Sequence, residues 1–588
     1  LSTMSLRARV HLAVLVLLSV VVVLLQDTLR GWWIEDAAIS FSYARNLANG
    51  NGLVPFAGFE RVEGYSNPLW VVVLAGAQKI GGLGPFAASK KLAALLSILT
   101  LPAVYGLGRH LRLERDETPL LAAMILAVSA QFTIWAASGL ENALFCTLIA
   151  VAAWATLREG ERGGPPWSAV AWLALAVTRP EAIAYALFGG AAATLFDRLE
   201  GRHPIRTVGW WAVLVLPFAA YHAVRYDYFS MPLPATFYAK LGGTAPDPLL
   251  FHNAPWTYLR EYASELQVGF LLPVFVVGML GLRGWRGTAA SATSAVLGIV
   301  LLLPGPALLT AQPWWPEIAM PGWWTQVQAS TLILVLVLVP ALTLGRDGWR
   351  ARVLLWGLLA GGIFFVLRTH GDWMRGYRWL SLVSVPMAAL LAGGIAEVSD
   401  ALGALARSRR GPRLVIWWAF ALAVLALWSI PNLRYLQGYV AEPGVTPHSV
   451  LKRVDHYRWA WRRLELDRRW YAVDHDMGGM MFFGSNDGLV TDAKGLVDLP
   501  FALQGNQREF VDDYLFGGPR KFDLCHAHAS TGSAVKRLPA FRRRYIEIPG
   551  YGRTTFHTGN FVRKDLLVSD TWIGGGARVA FADGVVLE

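Results

Sequence analysis

Apolar runs of helix length recur along the chain, at residues 10–25, 89–108, 117–136, 141–157, 166–179, 181–196, 207–224, 266–282, 288–309, 327–344, 352–367, 379–395 and 414–430. Such runs, with few charges inside them, predict bilayer-crossing helices, about thirteen in all. The run 68–82 is short and ends in Gly81-Gly82. Beyond residue 431 the pattern changes. RWYAVDHDMGGMMFFG and DGLVTDAKGLVDL read as short strands and turns. The expected architecture is an all-α polytopic membrane domain over 1–430, a linker over 431–450 and a C-terminal α/β domain over 451–588.

Composition agrees with a membrane chain. Of 588 residues, 54% are hydrophobic and only 16% charged, whereas a soluble domain has about a quarter charged. The first run follows Arg7 and Arg9 and competes with a signal peptide, but QDTLRGWWIED supplies no small-residue cleavage site. We read it as a retained helix. Cys146 falls in an apolar run and Cys525 in the polar tail, so no bond between them is expected. No CxxC or Cys/His spacing suggests zinc. The 26 tryptophans predict interfacial belts, with some left for stacking on sugars.

Charge placement sets the expected topology. With 68–82 left out as a span and the N-terminus cytoplasmic, the short cytoplasmic loops hold Arg109, Arg112 and Arg115; Arg158 and Arg162; Arg198, Arg202 and Arg206; Arg283 and Arg286; Arg346, Arg350 and Arg352; and Arg407, Arg409, Arg410 and Arg413. Counting 68–82 as a span would put all of them outside, against the positive-inside rule. So 68–82 is expected to lie in or dip into the outer interface. Much of the net charge of +12 is then topogenic, which argues against a nucleic-acid partner. The outer side receives the first loop (26–88), the turns SGLEN and TRPE, the loops 225–265 and 310–326, the THGDWMRGYR loop and the tail.

Acids at a bilayer edge are costly unless solvated, paired or used. The expected outer face gathers many polar groups. Glu35 and Asp36 follow Trp32-Trp33, which we expect to mark the interface. Glu60, Arg61, Glu63, Tyr65 and Asn67 follow in the same loop. The turns add Glu141, Arg179 and Glu181; later loops add Arg225, Tyr238, Lys240, His370, Asp372, Arg375, Tyr377 and Arg378. An acid can remove a proton from an incoming hydroxyl, and arginine or lysine can hold an anionic leaving group. That pairing suits group transfer from a lipid phosphate. Plainer readings stand beside it. Glu60, Arg61 and Glu63 can brace the loop by ion pairing. Glu141 and the Arg179-Pro180-Glu181 turn can serve helix starts. Glu35 and Asp36 could also ligate a divalent cation, although no DxD in this loop and no histidine cluster supports one; no cofactor is assigned.

The stretch IEDAAISFSYARNLANGNGLVPFAGFERVEGYSNPLW resembles the first periplasmic loop of bacterial GT-C glycosyltransferases. In particular it is similar to the branch containing the mycobacterial terminal β-(1→2) arabinofuranosyltransferase and related cell-envelope enzymes. ASGLENALF, TRPEA, LPATFYAK, GDWMRGYR and DHDMGGMMFFG extend the likeness over nearly the whole chain. The resemblance implies a GT-C membrane domain with juxtamembrane helices in the first loop, a polyprenyl-phosphate sugar donor and transfer on the outer face of a bacterial inner membrane. It implies that the first-loop acid is the general base. Many relatives have Asp-Asp there, so Glu35 departs from the pattern and Asp36 takes the role, with Glu35 as helper. On this reading Lys240, Arg375, Arg378, Arg225 and His370 hold the donor phosphate. Glu141, Asp372, Glu63, Tyr65 and Trp373 bind sugar or acceptor, and Trp33 or Trp323-Trp324 can stack. The acceptor would be a hydroxyl of a cell-envelope glycan. A protein-glycosylating or lipid A-modifying transferase of the same build, a flippase of lipid-linked sugars, and a membrane-anchored scaffold remain as alternatives.

Overall fold

The structure of the chain is a computed structural model. It describes residues 4–241, 253–280 and 347–587, apart from 112, 114–115, 370, 373, 406–409, 466, 475, 485–487, 506, 518–520, 528–534, 549–559, 574–575 and 582–583. The first ten helices are α1 (Leu6–Asp27), α2 (Glu35–Ala48), α3 (Pro68–Gly81), α4 (Pro85–His110), α5 (Thr118–Ala127), α6 (Ala130–Ala136), α7 (Asn142–Arg162), α8 (Trp167–Ala176), α9 (Ala182–Leu199) and α10 (Pro204–Phe229). Further helices include Trp349–Arg368, Ser384–Leu405 and Arg410–Ala441.

Among the described residues seven helices are long and apolar enough to cross a membrane, and eight if the bent pair α5–α6 is one span. This is a multi-pass membrane protein. α1 shows why such a helix forms. Ser5 caps it by accepting from the Ala8 amide, and its 22 residues extend about 33 Å, enough for a hydrocarbon core of about 30 Å. The described residues bear on only part of the expectation of about thirteen crossings. Among them α8 has 10 residues, short for a span of about 20. The runs 288–309 and 327–344, Trp323-Trp324, and Arg112, Arg115, Arg283, Arg286, Arg346, Arg407 and Arg409 lie outside the described residues. The run 117–136 is two helices bent by 57°. Asn432 fills the break, accepting from the Ala130 amide at 2.8 Å and donating to the Trp428 carbonyl. α3 spans 14 residues, about 21 Å at 1.5 Å per residue. Pro68 opens it and Gly82, in the left-handed region, ends it.

Tryptophans also fill the interior. Trp70, Trp135, Trp172, Trp210, Trp417, Trp428 and Trp470 are among the largest fully buried side chains. Buried indole N–H groups need acceptors. Trp70 has the Gly139 carbonyl, Trp135 that of Gly376, Trp172 the Thr156 hydroxyl and Trp428 the Ile125 carbonyl. Cys146 and Cys525 are each buried and free.

After the helix Pro447–Arg463 the chain builds a five-stranded sheet in the order β2-β1-β3-β5-β4. Its strands are β1 (Trp470–Asp474), β2 (Gly488–Asp492), β3 (Leu524–His526), β4 (Tyr545–Glu547) and β5 (Asn560–Arg563). β1 runs parallel to β2 and β3, and β5 is antiparallel to β3 and β4. A three-stranded antiparallel sheet follows, with β6 (Ser569–Ile573), β7 (Gly576–Ala580) and β8 (Val586–Leu587). The crossover between β1 and β2 contains the helix Met477–Phe483, which packs on α2. No side chain separates them at Gly478, where a Cβ would stand 2.1 Å from the Glu35 carbonyl oxygen.

Candidate active site

α2 is the element that carries the acid pair. Both acids sit in its first turn, where they complement the helix dipole. The two carboxylates part company. Glu35 Oε1 faces the tail, 3.4 Å from Arg453 Nη1, and the same nitrogen lies 3.1 Å from Asp476 Oδ2. Burial pushes the Glu35 carboxyl up to about 8, opposed by Arg453 and reinforced by Asp476 and Asp474. Asp36 points the other way. Its side chain is 42% exposed, and Oδ2 lies 3.3 Å from Arg378 Nη1.

Arg378 is buried and bridges two acids. Its Nε pairs with Asp372 Oδ2 at 2.7 Å. Its guanidinium lies 4.2 Å above the Trp379 ring and 5.7 Å from that of Trp135, a stacking that only a planar cation makes well. Burial raises the Asp372 carboxyl and Arg378 pulls it back. The loop around them is firmly held. The Trp379 indole donates to the Gly371 carbonyl, the Gly376 amide donates to the Tyr435 hydroxyl, and the Tyr377 hydroxyl donates to Glu265 at 2.6 Å.

A second polar chain starts one turn further along α2. Ser40, four residues after Asp36 and so on the same helix face, donates to Asn67 at 2.9 Å. Asn67 donates to Glu141 at 2.5 Å. Glu141 pairs with Arg179, which also pairs with Glu181. Arg179 then lies 4.9 Å over the same Trp379 ring that carries Arg378. The two chains meet at that indole, so α2, the SGLEN turn, the TRPE turn and the GDWMRGYR loop form one closed polar circuit.

Several expected site residues stand elsewhere. Arg225 and Glu63 form a buried ion pair at 2.5 Å, and Arg225 also donates to the carbonyls of Met231 and Pro232. Neither side chain is open to a phosphate or a sugar. Burial raises the Glu63 carboxyl against the pull of Arg225. Tyr65 is buried edge-on against Tyr43 at 4.8 Å and offers no face for stacking. Glu141 is 1% exposed and committed to Arg179 and Asn67. Trp32 and Trp33 do not mark an open interface. The Trp32 indole donates to Val445, its ring packs on Tyr439, and Trp33 packs on Phe483, so the tail and its neck cover both. Arg375 is exposed and donates to the Glu442 carbonyl at 3.2 Å. Lys240 is on the helix Ala235–Leu241, but its side chain lies outside the described residues, as do His370 and Trp373.

The residues not anticipated are Arg453, Asp476, Trp379 and Lys90. Asp476 lies within the quoted DHDMGGMMFFG stretch and Trp379 directly follows Arg378, so local signals existed for these two. Among the described residues no group of three or more His, Cys, Asp or Glu is placed to hold a metal ion. Glu35 and Asp36 are each held by a different arginine.

The fold is similar to those of several solved structures. ArnT from Cupriavidus metallidurans bound to undecaprenyl phosphate matches at 14% identity and a TM-score of 0.47, covering 87% of this chain and 92% of that one. The Archaeoglobus fulgidus oligosaccharyltransferase matches at 13% identity and a TM-score of 0.42, covering 81% and 62%. The arabinofuranosyltransferase AftD from Mycobacteria matches at 13% identity and a TM-score of 0.42; 92% of this chain is covered, but only 38% of that one. No family model matches the chain, and no curated protein does.

Proposed function

We propose that the chain is an integral-membrane inverting glycosyltransferase that moves a sugar from a polyprenyl phosphate to a hydroxyl of a cell-envelope glycan, on the outer face of a bacterial inner membrane. The observation that carries this reading is the half-exposed Asp36 carboxylate, held through one oxygen by a buried arginine that a second acid anchors. Among the described residues Asp36 Oδ1 has no partner, so it is free to accept a proton.

In the proposed reaction Asp36 takes the proton of the acceptor hydroxyl. The hydroxyl oxygen forms the new bond to the anomeric carbon from the face opposite the leaving group. The old bond to the phosphate oxygen breaks, and its electron pair leaves with polyprenyl phosphate. Negative charge grows on the phosphate as it departs, so a cation placed there lowers the barrier. We assign that task to Arg375, the exposed arginine of the GDWMRGYR loop, with Lys240 and His370 as the other expected donors. Arg378, with an acid on each side, is reassigned from phosphate holder to support of the base. The first-loop resemblance and the arginine-rich loops support the donor class and the topology. Arabinofuranose is the sugar that the resemblance favours.

The bend between α5 and α6 is the feature a lipid-linked-sugar transporter would use, since broken helices frame transport sites. Purified protein mixed with polyprenyl-phosphate sugars and glycan acceptors separates the two. A transferase releases polyprenyl phosphate and glycosylates the acceptor; a transporter leaves the donor intact, and that result would reject our reading.

A further inference from the structure

We propose that Lys90 is a positioning residue for the transfer reaction, fixing the start of α2 against the turn that carries Glu141. The inference rests on the transferase reading above. Lys90 lies in the second turn of α4 and is half-buried. Its ammonium donates to three backbone carbonyls, those of Leu29 (3.1 Å), Trp32 and Ala137. A lysine ammonium has three donors and no acceptor, so this set uses all of them. All three partners are carbonyls, and none is a carboxylate.

The choice of carbonyls gives the arrangement its meaning. Leu29 and Trp32 belong to the turn that leads from α1 into α2, and the Trp32 amide closes that turn on the Leu29 carbonyl at 3.0 Å. Asp36 follows Trp32 by four positions. Ala137 caps the C-terminal end of α6, where carbonyls are left without helix partners and a cation is favoured. Glu141 follows Ala137 by four positions. The same two segments are stitched once more, by the Ile34 amide donating to the Ser138 carbonyl at 3.0 Å. Gly139 then turns with φ +89° and lies so close to Phe41 of α2 that a Cβ would stand 2.9 Å from its ring. One cation on α4 thus joins the approach to the proposed base and the approach to the Glu141–Arg179 pair. Its removal takes the ammonium from the Trp32 and Ala137 carbonyls, leaves Leu29 only the Trp32 amide, and lets the two segments separate. A displacement of about 1 Å at a reacting group can cost about a hundredfold in rate.

The test uses the full chain in detergent micelles, with a panel of polyprenyl-phosphate pentoses and hexoses. Lys90→Met is compared with wild type, with Lys90→Arg and with the double variant carrying Asp36→Asn. We expect Lys90→Met to elute and melt as a folded protein, to lose roughly thirtyfold or more in kcat and to keep its donor KM within about threefold. Lys90→Arg should recover much of the loss. The double variant should be no slower than Asp36→Asn alone, because a residue acting through Asp36 has nothing left to position. Wild-type kcat in Lys90→Met, a loss confined to KM, or losses that multiply in the double variant would overturn the assignment while leaving the transferase reading intact. A wild type inert towards the whole panel overturns that reading and this inference with it. If Lys90→Met does not fold, Lys90→Gln, which keeps two N–H donors, is judged by the same criteria.

Discussion

Nη1 of Arg378 lies 3.3 Å from Oδ2 of Asp36, although 342 positions separate them in the chain. The pair gives the half-exposed acid of α2 a fixed direction, with one oxygen held and the other open, as the proposed base requires. Asp36→Asn keeps the shape and removes the proton acceptor. Turnover of a polyprenyl-phosphate sugar should fall at least about a hundredfold in a protein that still folds, the usual scale for a general base. Near-normal turnover would move the base elsewhere.

Arg378→Lys tests the bridge itself. A lysine ammonium is a compact point charge without the planar fork, so it cannot span Asp36 and Asp372 while stacking on Trp379. We expect kcat to fall about ten- to a hundredfold, with the donor KM little changed, because Arg378 is assigned to the base and not to the phosphate. The complementary change, Arg375→Ala, should weaken donor handling. A KM effect at Arg378 larger than the one at Arg375 would reverse the two assignments.

Glu141 separates a structural acid from a sugar ligand. It is buried against Arg179, and its removal strands part of that cation's charge. Glu141→Ala should destabilise the protein by roughly 3 kcal/mol, the low end for breaking a buried pair, because Glu181 still partners Arg179. The measurement is thermal unfolding in detergent beside donor KM. A normal melting temperature with a raised KM would return Glu141 to sugar binding.

The helices were legible because lipid demands long apolar runs, and the tail was legible because its strands are short and broken by turns. The α5–α6 break was not, since Asn432, which fills it, lies 302 positions away from Ala130. Glu35 was legible as an acid at a helix start, but its partner Arg453 is 418 positions distant and reaches it only when the tail docks. Arg225 and Glu63 read as site residues because their types and loops fitted the chemistry. Only the fold shows that they neutralise each other. The cover over Trp32 and Trp33 was illegible for a similar reason, since sequence does not show what packs on a helix end.

Gly478 tests whether the tail contributes to the site. Arg45 of α2 donates to the carbonyls of Met481 and Phe482, and Gly478 abuts the Glu35 backbone. Gly478→Val forces the tail helix away from α2. We expect a loss of about 1–3 kcal/mol in stability, the cost of overpacking, and a clear drop in kcat. Gly438→Ala is the control, because a Cβ there meets nothing within 4 Å. Equal behaviour of the two variants would show that the tail does not bear on α2.

Glu35 gives the docking a pH dependence whose sign can be worked out. Its carboxyl rises from an ordinary 4.5 to about 8 in the folded protein, first through burial, with Arg453 opposing. The folded state therefore keeps a proton that the unfolded chain releases above about pH 4.5. The contribution of this group to stability is fully present below that pH and is lost as pH rises through about 8. Asp492, raised to about 7 by burial in the tail, titrates across an overlapping range with the same sign, so the slope of wild type alone does not isolate Glu35. The informative quantity is the difference between wild type and Glu35→Gln. The variant should lose less stability between pH 5 and 8 than wild type does, and it should keep turnover within about tenfold, since the proposed base is Asp36. Parallel melting curves across that range would remove Glu35 as the titrating group, and a hundredfold loss of turnover would make it the base.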